Sequence, residues 1–175
     1  PCLPGLYSGS AGQATCSLCS AGSYTPDSGN TACLACTPGF LCVEGSSSPQ
    51  PCGGGTHANQ TVLATIGYLG SLSDCIVCPM GTFCPVGTNA PTPCAAGTYN
   101  DQINAASCVK CAAGSYQDSE GSTACLECTG GNYCPEGASA QLPCLQGSYS
   151  NAAGLSHASN CTACPAGSAC ATGST

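Results

Sequence analysis

Residues 19–36 read Cys-Ser-Ala-Gly-Ser-Tyr-Thr-Pro-Asp-Ser-Gly-Asn-Thr-Ala-Cys-Leu-Ala-Cys, and residues 111–128 read Cys-Ala-Ala-Gly-Ser-Tyr-Gln-Asp-Ser-Glu-Gly-Ser-Thr-Ala-Cys-Leu-Glu-Cys. The likeness extends beyond cysteine. Ala21-Gly22-Ser23-Tyr24 matches Ala113-Gly114-Ser115-Tyr116, and Thr31-Ala32-Cys33-Leu34 matches Thr123-Ala124-Cys125-Leu126, which marks a duplication. Working outward, Cys2, Cys16, Cys19, Cys33, Cys36, Cys42 and Cys52 return 92 positions later as Cys94, Cys108, Cys111, Cys125, Cys128, Cys134 and Cys144. Cys75, Cys78 and Cys84 return 86 positions later as Cys161, Cys164 and Cys170, so the second copy lacks six residues in one loop. A fixed period of this kind decides architecture before any local reading does. The copies are expected over residues 1–93 and 94–175.

Each copy contains a smaller unit that opens with Cys-x-x-Gly, at Cys2, Cys19, Cys36, Cys52, Cys78, Cys94, Cys111, Cys128, Cys144 and Cys164. In seven of the ten units the fifth residue after the cysteine is aromatic: Tyr7, Tyr24, Phe83, Tyr99, Tyr116, Tyr133 and Tyr149. The glycine is expected at positive φ, with the aromatic ring lying over the disulfide as a miniature core for the unit. Three spacers, Val43 to Pro51, Pro85 to Pro93 and Pro135 to Pro143, carry Gly third and Pro last, and read as extended linkers. Gly, Asn, Asp and Ser clusters interrupt short alternating stretches, which predicts small hairpins and turns with almost no helix. Both termini fall mid-pattern, so a window on a longer array is expected.

An apolar content of 42% looks sufficient for a core, but 20 of those residues are Cys and the chain has no Trp, one Met and two Phe. With 24 Gly and 13 Pro besides, ordering the backbone requires something other than packing to offset roughly 1–2 kcal/mol of entropy per residue. Cysteine at this density marks a disulfide scaffold, which persists in oxidising compartments and predicts a secreted or cell-surface protein. Asn59-Gln60-Thr61 and Asn160-Cys161-Thr162 fit the N-glycosylation acceptor pattern, so glycan is expected at Asn59 and Asn160. Lys110 is the sole basic residue against eight carboxylates, which excludes a phosphate backbone as partner. No run of about 18 apolar residues occurs, so membrane attachment is expected only through segments outside these residues.

Cys-x-x-Gly-[Ser/Thr]-Tyr followed by Cys-x-x-Cys resembles the ephrin-receptor-like cysteine-rich repeat, which is similar in kind to tumour-necrosis-factor-receptor and EGF-like modules. The resemblance implies an elongated array of disulfide-bonded modules in surface or secreted proteins, of the sort found in long protist surface proteins, and it implies no catalytic residues. The Cys-x5-Cys units at Cys36, Cys78, Cys128 and Cys164 and the loop from Cys52 to Cys75 depart from the family pattern. The simplest connectivity joins the two cysteines of each unit in order: Cys2–Cys16, Cys19–Cys33, Cys36–Cys42, Cys52–Cys75 and Cys78–Cys84, repeated in the second copy. Parsimony supports that scheme; ten cysteines per copy permit many others.

Cys16, Cys19, Cys33 and Cys36 have the C-x2-C-x13-C-x2-C spacing of a four-thiolate zinc site, but they sit inside a continuous cysteine repeat that would strand Cys2, Cys42 and Cys52. Six equivalent Cys-x2-Cys pairs leave no distinguished redox thiol. His57 and His157 read as loop histidines without a triad or metal partner, and Asp118-Ser119-Glu120 and Asn100-Asp101 read as solvated turns instead of calcium loops. Thr61 to Leu72, the one sustained apolar stretch, reads as a packed loop or a contact surface. No cofactor and no catalytic constellation are expected. The reading reached is a small disulfide-rich array without a conventional hydrophobic core. As a structural component of an extracellular filament, appendage or coat, it would associate with itself, with other surface proteins and with glycans, each unit contacting only its neighbours. The stalk or recognition ectodomain of a receptor or adhesin is the alternative.

Overall fold

The computed structural model describes residues 1–10 and 13–175. It divides into two compact units, Pro1–Cys78 with Cys84–Pro91, and Pro79–Phe83 with Thr92–Thr175. Among the described residues, nine two-stranded antiparallel sheets follow one another, most with strands of two residues. The first strand of a hairpin carries the aromatic position, as in Ser23–Tyr24, Ser115–Tyr116 and Ser148–Tyr149. The return strand lies immediately before the next opening cysteine, as in Leu34–Ala35 and Leu126–Glu127. Strands this short cannot hold themselves, since an isolated two-stranded hairpin is marginal in water.

The cysteines supply the missing constraint. The structure pairs Cys2–Cys16, Cys19–Cys33, Cys36–Cys42, Cys52–Cys75 and Cys78–Cys84. The second copy pairs Cys94–Cys108, Cys111–Cys125, Cys128–Cys134, Cys144–Cys161 and Cys164–Cys170. No cysteine is free among the described residues. The bonds fall into two kinds. Those with a separation of 14, 17 or 23 clasp a hairpin across its loop, whereas those with a separation of 6 pinch the turn ahead of the return strand.

That second kind corrects the reading of the spacers. Gln50–Pro51, Thr92–Pro93 and Leu142–Pro143 are the return strands of hairpins, in register with Phe40–Leu41, Thr82–Phe83 and Asn132–Tyr133. A Cys-x5-Cys loop is too tight to contain its own return strand, so the spacer folds back to provide it. Proline is tolerated there because these are edge strands whose outer side needs no donor.

The loop from Cys52 to Cys75 likewise departs from expectation. Gln60–Ile66 is a helix, capped by Asn59, whose Oδ1 accepts hydrogen bonds from the Thr61 and Val62 N–H groups at 3.0 and 3.3 Å, and ended by Gly67 at φ 83°. This is a sequence-local N-cap and left-handed C-cap around a helix. Val62 and Leu63 pack on a small aliphatic core of Leu41, Ala58 and Leu69 with Cys52, the largest aliphatic cluster in the first unit. The stretch from Thr61 is therefore a helix that plugs its own hairpin, not a loop. In the second copy, Leu155 takes the position of Leu69 without the helix: Cys134 N–H donates to the Leu155 carbonyl as Cys42 N–H does to that of Leu69.

Candidate functional site

The feature that recurs at hairpin after hairpin is a backbone interlock centred on Cys-x-x-Gly. All ten of its glycines have positive φ. In the first unit, Gly5, Gly22 and Gly55 N–H groups donate to the carbonyls of Thr25, Cys42 and Cys84, each just past the first strand of a following hairpin. In the second unit Gly81, Gly97, Gly114 and Gly131 do the same to Asn100, Gln117, Cys134 and Ser150. A second glycine of the following unit returns the bond: Gly45 donates to Cys19, Gly121 to Cys94, Gly137 to Cys111 and Gly154 to Cys128. The carbonyls of Cys2, Cys19, Cys52, Cys94, Cys111, Cys128 and Cys144 are thus each held by a glycine N–H of the next unit.

Contacts reach one unit further than the sequence predicted. A Cβ on Gly114 would run into the Gly154 carbonyl oxygen, and one on Gly97 into that of Gly137, two units along in each case. Units therefore touch second neighbours as well as first. The miniature core is shared in the same way: Tyr116 packs on Cys128, Cys134 and Ala138 of the following unit.

The residue after the aromatic was not singled out from the sequence, yet Thr25, Asn100, Gln117 and Ser150 are buried polar groups. Asn100 Nδ2 donates to the Thr82 carbonyl at 2.7 Å, Gln117 Nε2 to that of Ala124 at 2.7 Å, and Thr25 Oγ1 accepts from Gly5 N–H at 2.9 Å. No buried side-chain donor or acceptor is left unpaired among the described residues. A polar residue directly after Tyr7, Tyr24, Tyr99, Tyr116 and Tyr149 was the available signal.

His57 is corrected from a loop residue to a strand residue: it lies in Thr56–Ala58, is 7% exposed, and its Nδ1 donates to the Ala58 carbonyl at 2.9 Å. His157 is exposed at the start of a 3-10 turn, Ala158–Asn160. The two sequon asparagines both act as caps. Asn160 Oδ1 accepts from His157 N–H at 3.0 Å and from Ser156 Oγ at 3.2 Å, just as the Asp74 carboxylate accepts from Gly70 and Ser71 N–H groups at 2.9 Å in the first copy. Asn160 is exposed and Asn59 half-buried. Among the described residues no group of three His, Cys, Asp or Glu is placed to hold a metal, and no helix is long and apolar enough to cross a membrane.

With nested Cys-x-x-Gly hairpins and ten in-order disulfides established, the comparison with known proteins becomes specific. The family profile described as tyrosine-protein kinase ephrin type A/B receptor-like matches residues 5–52 and 97–141, more than half of the chain. The chain belongs to this ephrin-receptor-like family. No curated protein matches it. The two matched segments begin at Gly5 and Gly97, the interlock glycines of the first unit in each copy. Ephrin-receptor-like repeats of this kind are structural modules, and their ten disulfides point to an extracellular setting.

Proposed function

We propose that this ephrin-receptor-like chain is a structural component of an extracellular filament, appendage or cell-surface coat, carrying glycan at Asn59 and Asn160 and meeting copies of itself or other surface proteins. The observation that carries this reading is the interlock. Its hydrogen bonds run from glycine N–H groups to backbone carbonyls, which side-chain identity does not alter, so the unit can be added repeatedly at constant stability per unit. A function that depends on extent needs that property, whereas catalysis needs a distinct constellation of side chains. Electron microscopy of native material tests it: a regular axial repeat is expected, and isolated particles with a distinct head would overturn it. The receptor or adhesin reading draws support from one place, the helix Gln60–Ile66, where the copies differ and where Ile66 and the nearby Leu72 are 51% and 71% exposed. A ligand captured by the intact chain and lost on Ile66→Ser with Leu72→Ser would favour that alternative.

A further inference from the structure

In the second unit the interlock places successive return strands in chain order, because each hairpin's glycine is bonded to the hairpin that follows. Four of them, Thr92–Pro93, Val109–Lys110, Leu126–Glu127 and Leu142–Pro143, end on exposed residues at the same register position, opposite Thr82, Thr98, Ser115 and Asn132. Read along the unit, that position runs Pro93, Lys110, Glu127, Pro143. Reversed, it reads proline, acid, base, proline, which is its own electrostatic complement. A two-fold axis between the second and third hairpins sets Lys110 against Glu127 of another copy, Glu127 against its Lys110, and Pro93 against its Pro143. A self-complementary patch of this sort is what an isologous dimer requires.

We propose that this face of the second unit pairs two copies of the chain about a two-fold axis, with Lys110 and Glu127 setting orientation and register. The proposal names a face for the self-association in the proposed function and rests on that reading only in requiring a second copy. Charge singles out the occupant: Lys110 is the sole side-chain cation, so opposite-charge pairing between copies has to use it. Among the described residues its one ion pair is with Glu136, at 3.6 Å with both side chains about two-thirds exposed, a surface pair that constrains little and leaves the ammonium free for a second carboxylate. Glu127 is exposed and in no salt bridge among the described residues. The corresponding positions of the first copy, Pro1, Leu18, Ala35 and Pro51, keep the prolines and lack both charges, so the charged pair is specific to the second copy.

Sedimentation of the intact, disulfide-bonded chain at rising concentration tests the pairing. A monomer-to-dimer shift is expected at low salt and is lost near 1 M salt, where the screening length falls to about 3 Å. Lys110→Glu and Glu127→Lys should each weaken self-association by about tenfold or more, yet the two variants should dimerise with each other, and the double exchange should restore the homodimer. Glu136→Gln, which removes only the internal partner, should leave dimerisation intact. Monomers throughout, or single variants that dimerise like the parent chain, would overturn the proposal. Native filaments that persist with Lys110→Glu would also sink it while leaving the filament reading in place. A closed dimer without filaments would do the reverse.

Discussion

At the scale of single residues, the glycines separate two costs that are usually confounded. Gly114 and Gly147 hold similar left-handed backbones, at φ 91° and 84°, but a Cβ on Gly114 meets the Gly154 carbonyl whereas one on Gly147 meets nothing within 4 Å. Gly147→Ala should cost only the strain of an L-residue in that region, about 1–2 kcal/mol. Gly114→Ala adds a backbone collision, so its loss should be larger by about 1 kcal/mol or more, measured as the difference in denaturation midpoints under non-reducing conditions. Asn104 supplies the internal control. It is the one described non-glycine residue at positive φ, 64°, at the position where Gly29, Gly121 and Gly154 stand in other hairpins. Asn104→Gly should therefore be close to neutral, within about 0.5 kcal/mol, and a marked loss would mean that the Asn side chain has a role of its own.

At the scale of elements, stability is divided between covalent clasps and one local plug. Opening Cys111–Cys125 by a double Ser substitution frees a hairpin whose strands are two residues each, and should cost about 2–5 kcal/mol. Hydrogen exchange should report the loss in that hairpin and in the following one, because Gly114 N–H bonds to Cys134 and Tyr116 packs there. Protection lost in one hairpin alone would contradict the shared interlock. The helix Gln60–Ile66 behaves differently, since it adds aliphatic burial that the other hairpins lack. Leu69→Ala, at 0% exposure, should cost about 2–5 kcal/mol, and Leu155→Ala at the matching, half-buried position should cost less.

At the scale of the whole molecule, redox state and modification are the accessible tests. Thiol titration of the denatured, unreduced protein should find no reactive thiol, because every cysteine closes a loop within its own unit. Glycopeptide mass spectrometry should find Asn59 occupied more fully than Asn160, since Cys161 must pair with Cys144 directly beside the second acceptor. Both asparagines cap turns through Oδ1, an atom that glycosylation leaves in place, so either glycan is compatible with the fold. A protein bearing glycan only at Asn160 would reverse the expected order.

The sequence by itself determined the repeat, the class of scaffold and the location of the turns, because those depend on residues that act through their own covalent structure. A cysteine at a fixed spacing proposes a clasp, and a glycine three residues on proposes a positive φ, wherever the neighbours lie. The tertiary structure decided what the units do to one another. Nothing within Val43 to Pro51 announces that its last two residues pair back onto Phe40–Leu41, and the alternation of a two-residue strand is too short to be read. His57 looked like a loop residue because its burial arises from packing, not from its flanking residues. The short caps around Gln60–Ile66 lay in plain view, but a helix of seven residues is too short to persist without the hairpin it plugs, so its formation followed from contacts that only the folded chain contains.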